Sequence, residues 1–302
     1  MNLLLSLPLL LVLVQADITH ANTIDAFNDK VIYGEDNRTL VSDLDVTYDA
    51  EAITFSRSIL AQIPNWRITS NDKTTIGIET RDLKTGLNFC DGERFLDQPL
   101  VSACTAFMVA PDLIVTAGHC VKDKYDCKKQ TWVLDYDDRM DFLPPKSTVS
   151  FSKEKAYACK ELVSWSQNAK LDYALIRLER PITDRAPLKI RREGKTATNE
   201  SLMVIGHPLG MPKMLTSNIM IRDNTLDFVF KTNADTFSGN SGSPVLGIKS
   251  KMVEGILVRG DDDFKTDFQL GCDRPAKCGD KECRGESVQR STYLPLKYIP
   301  KL

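Results

Sequence analysis

The sequence of 302 residues lacks the signatures of several large functional classes. Its 39 basic and 41 acidic residues give a net charge of −2, so no basic surplus attracts nucleic acid. It contains no phosphate-binding G-x-x-x-x-G-K-S/T, no dinucleotide-binding G-x-G-x-x-G and no zinc-protease H-E-x-x-H motif. No C-x-x-C pair occurs, and the only histidines are His20, His119 and His207. We therefore expect no cofactor, no metal site and no nucleic-acid partner.

Long apolar runs are also absent, except at the N-terminus. Leu3–Val14 is too short to span a bilayer, and Val14-Gln15-Ala16 has the small residues at positions −3 and −1 that are typical of a signal-peptidase site after Ala16. We predict a signal peptide over residues 1–16 and a short pro-segment over residues 17–30. A second cleavage position follows Ala21, and the alternative is a buried N-terminal helix. Export predicts a secreted or periplasmic protein with no membrane contact after the signal is removed.

The cysteines agree with export, because all eight follow the predicted cleavage site. An even number of cysteines in an exported chain indicates disulfides rather than metal ligands. They stand at Cys90, Cys104, Cys120, Cys127, Cys159, Cys272, Cys278 and Cys283. We expect one of the last three to pair with Cys90, which leaves Cys127 for Cys159, although spacing alone does not fix these pairs.

The pattern along the chain changes near residue 86. Within an N-terminal extension over residues 31–85, the apolar spacing predicts one helix over Ala50–Gln62, stopped by Pro64. From residue 86 to residue 302, short β-rich runs alternate with Gly, Pro, Asp and Asn, which favours an all-β sandwich or barrel.

Three segments supply, in chain order, the parts that activate a serine hydroxyl: a base, a carboxylate and backbone N–H donors. The segment LIVTAGHC presents His119 after a strand, and LDYALIRL places Asp172 at the start of a buried strand. The segment SGNSGSP carries Ser241 between glycines that permit a tight turn, with Gly239 and Ser241 as oxyanion donors. Each segment alone also fits a turn, a cap or a core histidine. Together they predict a catalytic triad.

At these residues the chain resembles the trypsin/chymotrypsin family. Its TAGHC, DYALIRL and GNSGSP are similar to the TAAHC, D-I-A-L and GDSGGP blocks of that family, and GNSGSP resembles most the bacterial glutamyl endopeptidase branch. The resemblance covers the chain from about Cys104 onward. It implies an all-β, chymotrypsin-like fold of two six-stranded antiparallel β-barrels, a peptidase domain over residues 86–302, and an active site between the barrels.

The resemblance also implies the activity: a serine endopeptidase acting through an acyl-enzyme on protein or peptide, as a monomer. It implies a disulfide from Cys104 to Cys120 that braces the histidine loop. It implies further that the strand over Gly255–Gly260, including Val258, pairs with extended substrate. The order of an α/β-hydrolase, serine then acid then histidine, is excluded because no histidine follows Ser241.

Primary specificity depends on two neighbouring residues. Asp235 stands six residues before Ser241, where trypsin carries the aspartate that binds Arg or Lys. Thr236 matches a threonine with which the glutamyl branch recognises Glu, but Leu257 replaces the histidine of that branch. Gly260 leaves the pocket entrance open. We predict cleavage after Arg or Lys, with Glu as the alternative, or Asp235 turned into solvent.

The sequence departs from the family pattern at one activation residue. Asn240 replaces the aspartate that pairs with the freed N-terminus in trypsin-like zymogens, so that activation route is in doubt. Val31-Ile32-Tyr33-Gly34 nevertheless resembles the mature N-terminus of the glutamyl branch, and we predict processing after Lys30.

Two other classes remain open: a catalytically silent binding protein on this fold, and an exported esterase. The acidic run Asp135, Asp137, Asp138 and Asp141 is expected to be a solvated turn rather than a calcium loop.

Overall fold

The computed structural model describes residues 31–137, 142, 147–279 and 282–302, so the predicted signal peptide and pro-segment lie outside the described residues. The described α-helices are α1 (Ala50–Ser56), α2 (Leu83–Leu87) and α3 (Lys124–Cys127). The described strands are β1 (Ile32–Tyr33), β2 (Arg38–Leu40), β3 (Ile59–Pro64), β4 (Ile68–Asn71), β5 (Thr75–Thr80), β6 (Thr105–Ala110), β7 (Leu113–Thr116), β8 (Gln130–Leu134), β9 (Ser147–Ser152), β10 (Ala156–Gln167), β11 (Asp172–Leu178), β12 (Leu202–Gly206), β13 (Met214–Ile219), β14 (Ile221–Asp223), β15 (Val229–Thr232), β16 (Pro244–Gly247), β17 (Val253–Arg259), β18 (Phe264–Asp267), β19 (Cys272–Pro275), β20 (Lys277–Cys278) and β21 (Glu286–Arg290). Short 3-10 turns lie at Val41–Asp43, Asn65–Arg67, Gly118–Cys120, Lys153–Lys155, Pro208–Gly210, Ser291–Tyr293 and Leu296–Tyr298.

Six strands form a closed antiparallel barrel in the order β10-β11-β7-β6-β3-β8. Every residue of β6 and β7 is buried, because one face fills the barrel while the other packs against neighbouring elements. The sequence of β7, LIVT, is therefore uninterruptedly apolar until its last residue. In β10, by contrast, most residues are exposed or half-buried.

Eight strands form a second antiparallel sheet in the order β14-β15-β21-β17-β16-β12-β13-β2, which curls into a half-barrel. The predicted all-β, chymotrypsin-like fold is confirmed, with this curled sheet in place of a second closed six-stranded barrel. Ile114 and Leu175 of the first barrel share one apolar cluster with Ile205 and Ile256 of the second sheet. The two units are therefore joined by a continuous core, and burial of that apolar surface stabilises both.

The segment over residues 31–85 supplies strands to both units. β3 lies between β6 and β8 in the barrel, and β2 forms the edge of the second sheet beside β13. The predicted helix over Ala50–Gln62 is correct as far as Ser56 and wrong beyond it, because Ile59–Pro64 is a buried strand. Ile59, Leu60 and Ile63 are fully buried by the barrel, and that burial overrides a spacing that fits a helix equally well.

Four disulfides join the described cysteines, and none of these cysteines is free. Cys104 is bonded to Cys120, and Cys127 to Cys159. The remaining pairs are Cys90–Cys272 and Cys278–Cys283. Cys90–Cys272 joins positions 182 residues apart and so ties the segment before β6 to the hairpin of β18 and β19.

Across the described parts of the chain, the helices are too short and too polar to cross a membrane.

Candidate active site

His119 lies in the 3-10 turn that follows β7, at the junction between the two units. The disulfide from Cys120 to Cys104 fixes this turn to the residue that precedes β6. The Nε1 atom of Trp165 donates a hydrogen bond of 2.8 Å to the carbonyl of Gly118. The backbone of the turn is therefore held on both sides, which fixes the position from which the imidazole projects.

Asp172, the first residue of β11, is 3% exposed and holds the histidine through both of its oxygens. Oδ1 accepts the backbone N–H of His119 at 2.9 Å, and Oδ2 lies 2.9 Å from its Nδ1. Burial alone would raise the pKa of this carboxyl, but the hydrogen bond and charge of His119 outweigh burial and hold the pKa below its ordinary value. The carboxylate is therefore ionised at neutral pH.

An ionised carboxylate only accepts hydrogen bonds, so Nδ1 of His119 is the donor in this contact. In a neutral imidazole the proton then resides on Nδ1, and Nε2 carries the lone pair. Nε2 is buried and has no hydrogen-bond partner among the residues that the structure describes. The arrangement leaves Nε2 as a base oriented by its partner nitrogen.

The loop that carries Ser241 packs against the strands that lead to His119. The carbonyl of Ser241 accepts the N–H of Thr105 at 2.9 Å, and the N–H of Gly242 donates to Leu257 at 2.8 Å. Gly242 has φ +88°, and a Cβ there would lie 2.1 Å from the carbonyl oxygen of Thr105 and 2.3 Å from Oγ1 of Thr116. Only glycine permits this approach, which brings the serine loop to the base of the histidine turn.

Gly239, a predicted oxyanion donor, also requires glycine. Its φ is +89°, and a Cβ would lie 2.4 Å from the carbonyl oxygen of His207. The carbonyl of Ser238 accepts the N–H of Leu209 at 2.6 Å. In a planar trans peptide the N–H points opposite to the carbonyl. The N–H of Gly239 therefore points away from the Leu209 loop.

The predicted pocket residue Asp235 is 1% exposed, and both of its oxygens accept backbone N–H groups. The N–H of Tyr33 donates to Oδ1 at 2.6 Å, and that of Asn37 donates to Oδ2 at 2.8 Å. The carboxylate is thus turned toward the N-terminal segment and away from solvent. Burial raises the pKa of Asp235 to about 6, because its effect is larger than the opposite effect of the two donors and of the charge of Arg38.

The neighbouring Thr236 contacts a second buried acid. Its Oγ1 donates to Oε2 of Glu286 at 2.8 Å, and Thr236 and Glu286 are both 0% exposed. Glu286 begins β21, which pairs with β17, the predicted substrate-binding strand. Lys231, on the adjacent β15, bonds Oγ of Ser287 at 2.5 Å and adds one positive charge nearby.

The other predicted pocket residues lie at the end of β17. Val258 is 2% exposed, and the carbonyl of Gly260 accepts a hydrogen bond of 3.1 Å from Nη2 of Arg284. Between them, Arg259 extends toward the first barrel. Its Nη2 lies 3.7 Å from Oδ2 of Asp172 and donates to the carbonyl of Asn168 at 3.0 Å.

The profile of the trypsin-like peptidase domain family matches residues 104–256, half of the chain. The protein belongs to this family. No curated protein matches the sequence.

Solved structures with a similar backbone include a Glu endopeptidase in complex with MPD, at 16% identity and a TM-score of 0.49, covering 89% of this chain and 97% of that one. The Rv3671c protease from M. tuberculosis, in its active form, is 14% identical with a TM-score of 0.46, covering 86% of this chain and 88% of that one.

As a trypsin-like peptidase, the protein places several residues at its site that its motifs do not indicate. Gln289 accepts the N–H of Asp172 through Oε1 at 2.5 Å, which fixes the start of β11 from the second sheet. Glu286 and Arg259 reach the site through the pairing of β17 with β21. No motif in the sequence marks these positions, because the burial of Glu286 and Gln289 depends on the pairing of β21 with strands distant in the chain.

His207, for which the sequence shows no partner motif, lies apart from the contacts between His119 and Asp172 in the trypsin-like site. It is fully buried, its ring stacks on Tyr136 with centroids 5.4 Å apart, and its Nδ1 lies 3.1 Å from the carbonyl of Met211. Burial lowers its pKa to about 3, so the ring is neutral. Its carbonyl oxygen lies against Gly239, and its side chain contacts Tyr136 and Met211.

The raised pKa of Asp235 predicts a pH-dependent stability. The pKa of this carboxyl is about 4 in an unfolded chain and about 6 in the folded protein. Its stabilising contribution is therefore complete below about pH 4 and is lost as the pH rises through 6. The shift corresponds to about 3 kcal/mol.

Between pH 4 and pH 7.5, we expect the free energy of unfolding of the native protein, measured in urea, to fall by about 3 kcal/mol more than that of Asp235→Asn. Both proteins are measured in a Ser241→Ala background to exclude autolysis. If the difference in the free energy of unfolding between the two proteins does not change with pH, the assignment of this pH dependence to Asp235 is contradicted.

Proposed function

We propose that this chain is an exported serine endopeptidase in which His119, Asp172 and Ser241 form the catalytic triad. The observation that carries the proposal is the pair of 2.9 Å contacts from Asp172 to His119, which leave Nε2 as the base. The packing of the Ser241 loop against the same turn supports it, as does membership of the trypsin-like peptidase family.

In the proposed mechanism, His119 takes the proton of the Ser241 hydroxyl through Nε2 as the oxygen attacks the scissile carbonyl. Asp172 keeps the imidazole in the required tautomer and stabilises the imidazolium that forms. The N–H groups of Gly239 and Ser241 bind the oxyanion, at ~3 kcal/mol per donor. His119 then protonates the leaving amine, and water releases the acyl group by the same route.

Cleavage after Arg or Lys is the specificity that we propose. Two buried carboxylates, those of Asp235 and Glu286, lie beside Thr236, and the ammonium of Lys231 lies near Glu286. Negative charge at this place favours a basic side chain and repels an acidic one.

The same contacts argue against glutamate specificity. A threonine hydroxyl has one proton to donate, and that of Thr236 is given to Glu286, so the hydroxyl has none left for a substrate carboxylate.

Export is proposed on the four disulfides and the apolar N-terminal run. We propose further that the protein acts as a monomer on peptide, without nucleic acid or membrane, after processing behind Lys30.

Labelling with a fluorophosphonate probe tests the proposed nucleophile. We expect stoichiometric labelling of the purified protein, lost in Ser241→Ala, because only a hydroxyl beside an oriented base reacts at neutral pH. Ser243→Ala is the matched control, since this neighbouring serine is also buried and bonds Asn240.

If the protein is not labelled, even after trimming to Val31, the proposal of a peptidase fails, and a catalytically silent binding protein becomes the proposed function. Labelling with hydrolysis of esters but of no amide would favour the esterase.

Glu286→Gln tests the source of basic specificity. Glutamine keeps an oxygen that accepts the Thr236 hydroxyl but removes the charge, so kcat/KM for Arg and Lys peptides, relative to a Phe peptide, should fall roughly 30-fold or more. Asp235→Asn is the comparison, because its carboxylate is turned to Tyr33 and Asn37. Unchanged relative rates in Glu286→Gln, with the loss in Asp235→Asn instead, would reassign the role to Asp235.

A further inference from the structure

Arg259 is the last residue of β17 and the one guanidinium that the described structure places against the triad carboxylate. Its side chain is 41% exposed, although Nη2 lies 3.7 Å from Oδ2 of Asp172. One N–H is donated to the carbonyl of Asn168, in the turn between β10 and β11. The side chain therefore reaches from the second sheet to the first barrel, and part of it is exposed to solvent.

The direction of Arg259 follows from its contacts. The pairing of β17 with β21 is irregular between Leu257 and Arg259, and Nη2 of Arg259 lies beside Asp172 and the carbonyl of Asn168, which belong to the first barrel. The proposed primary pocket, with Thr236 and Glu286, lies on the second-sheet side. Arg259 instead lies on the His119 side, beside Asp172.

The side chains of a substrate bound in extended form point alternately to opposite faces. If the side chain of P1, the residue whose carbonyl is attacked, enters the Thr236 pocket, the side chain of P2, the residue before it, points to the opposite face. That face carries His119 and the exposed part of Arg259. A P2 side chain thus projects toward the guanidinium.

The charge of Arg259 is only partly balanced by its surroundings. Asp172 already shares its charge with His119 through two hydrogen bonds, and its contact with Arg259 is longer, at 3.7 Å. The nearby turn adds a second positive charge, the exposed Lys170. Planar guanidinium groups bind carboxylates through paired N–H donors, and those not used by Asn168 are suited to this contact.

We propose that Arg259 is a specificity-determining residue that binds the carboxylate of an acidic side chain at P2. The inference rests on the proposed peptidase function and names its substrate class: extended peptides with Asp or Glu immediately before the P1 residue. Recognition is electrostatic and partly solvated, so its contribution is modest and weakens with salt.

Two peptides that differ only in Asp or Asn at P2 test this assignment. For the native enzyme at low salt, we expect kcat/KM to be about fivefold higher for the Asp peptide, and nearer parity in 0.5 M NaCl. In Arg259→Gln the ratio should fall to about one, and Arg259→Lys should keep an intermediate value. Lys170→Gln is the matched control, because it removes an exposed positive charge from the same turn, and it should lower the ratio far less than Arg259→Gln does.

The outcomes separate the possible roles of Arg259. If Arg259→Gln lowers kcat/KM for both peptides equally, shifts the pH profile and keeps the ratio, Arg259 positions Asp172 and the proposal is overturned. A native ratio of one also overturns it, while cleavage of both peptides leaves the peptidase function intact. If neither peptide is cleaved and Ser241 is not labelled, both the function and this inference fail.

Discussion

The contact between Asp172 and His119 is the constraint on which the site depends. A buried carboxylate is costly unless donors surround it, and here His119 supplies two of them at 2.9 Å. Gln289 fixes the backbone of Asp172 from the second sheet, and Arg259 adds a positive charge from the same side. The site is therefore assembled only when the closed barrel and the curled sheet are packed together.

The second constraint is the N-terminal segment that begins at Val31. Residues 31–33 are buried, and β1 pairs in parallel with β20 beside the pocket. Tyr33 and Asn37 satisfy the Asp235 carboxylate, whose burial would otherwise leave a charge without partners. Asp235 thus holds the segment in place, while Glu286 brings the negative charge to Thr236. In the proposed specificity, Asp235 has the structural role and Glu286 supplies charge to the pocket, and the sequence motif indicates only Asp235.

The sequence indicates those parts of the proposed site that are local in the chain. LIVTAGHC, LDYALIRL and SGNSGSP each contain a residue together with the strand or turn that presents it, so His119, Asp172 and Ser241 can be proposed as a triad without a structure. The all-β fold followed from the same short strands and was confirmed.

The residues that the sequence missed depend on contacts between distant strands. Glu286 reaches Thr236 across 50 positions, and Gln289 reaches Asp172 across 117. The register between β21 and β17 decides which residues of β21 face the site. For a strand of five residues, that register cannot be read from the sequence. The helix predicted to extend to Gln62 fails for a related reason, because burial in the barrel decides between helix and strand for Ile59–Pro64.

The central claim, that Asp172 holds His119 as the base for Ser241, is tested by the rate at which Ser241 is acylated. The acyl-enzyme formed with a p-nitrophenyl ester of an Arg peptide is trapped in acid and located by mass spectrometry in the native enzyme and in Asp172→Asn. The account predicts acylation at Ser241 that is slower in the variant by on the order of 10⁴-fold, because the wrong tautomer of His119 then faces the serine. Equal rates in the two proteins, or an acyl group on another residue, would contradict it.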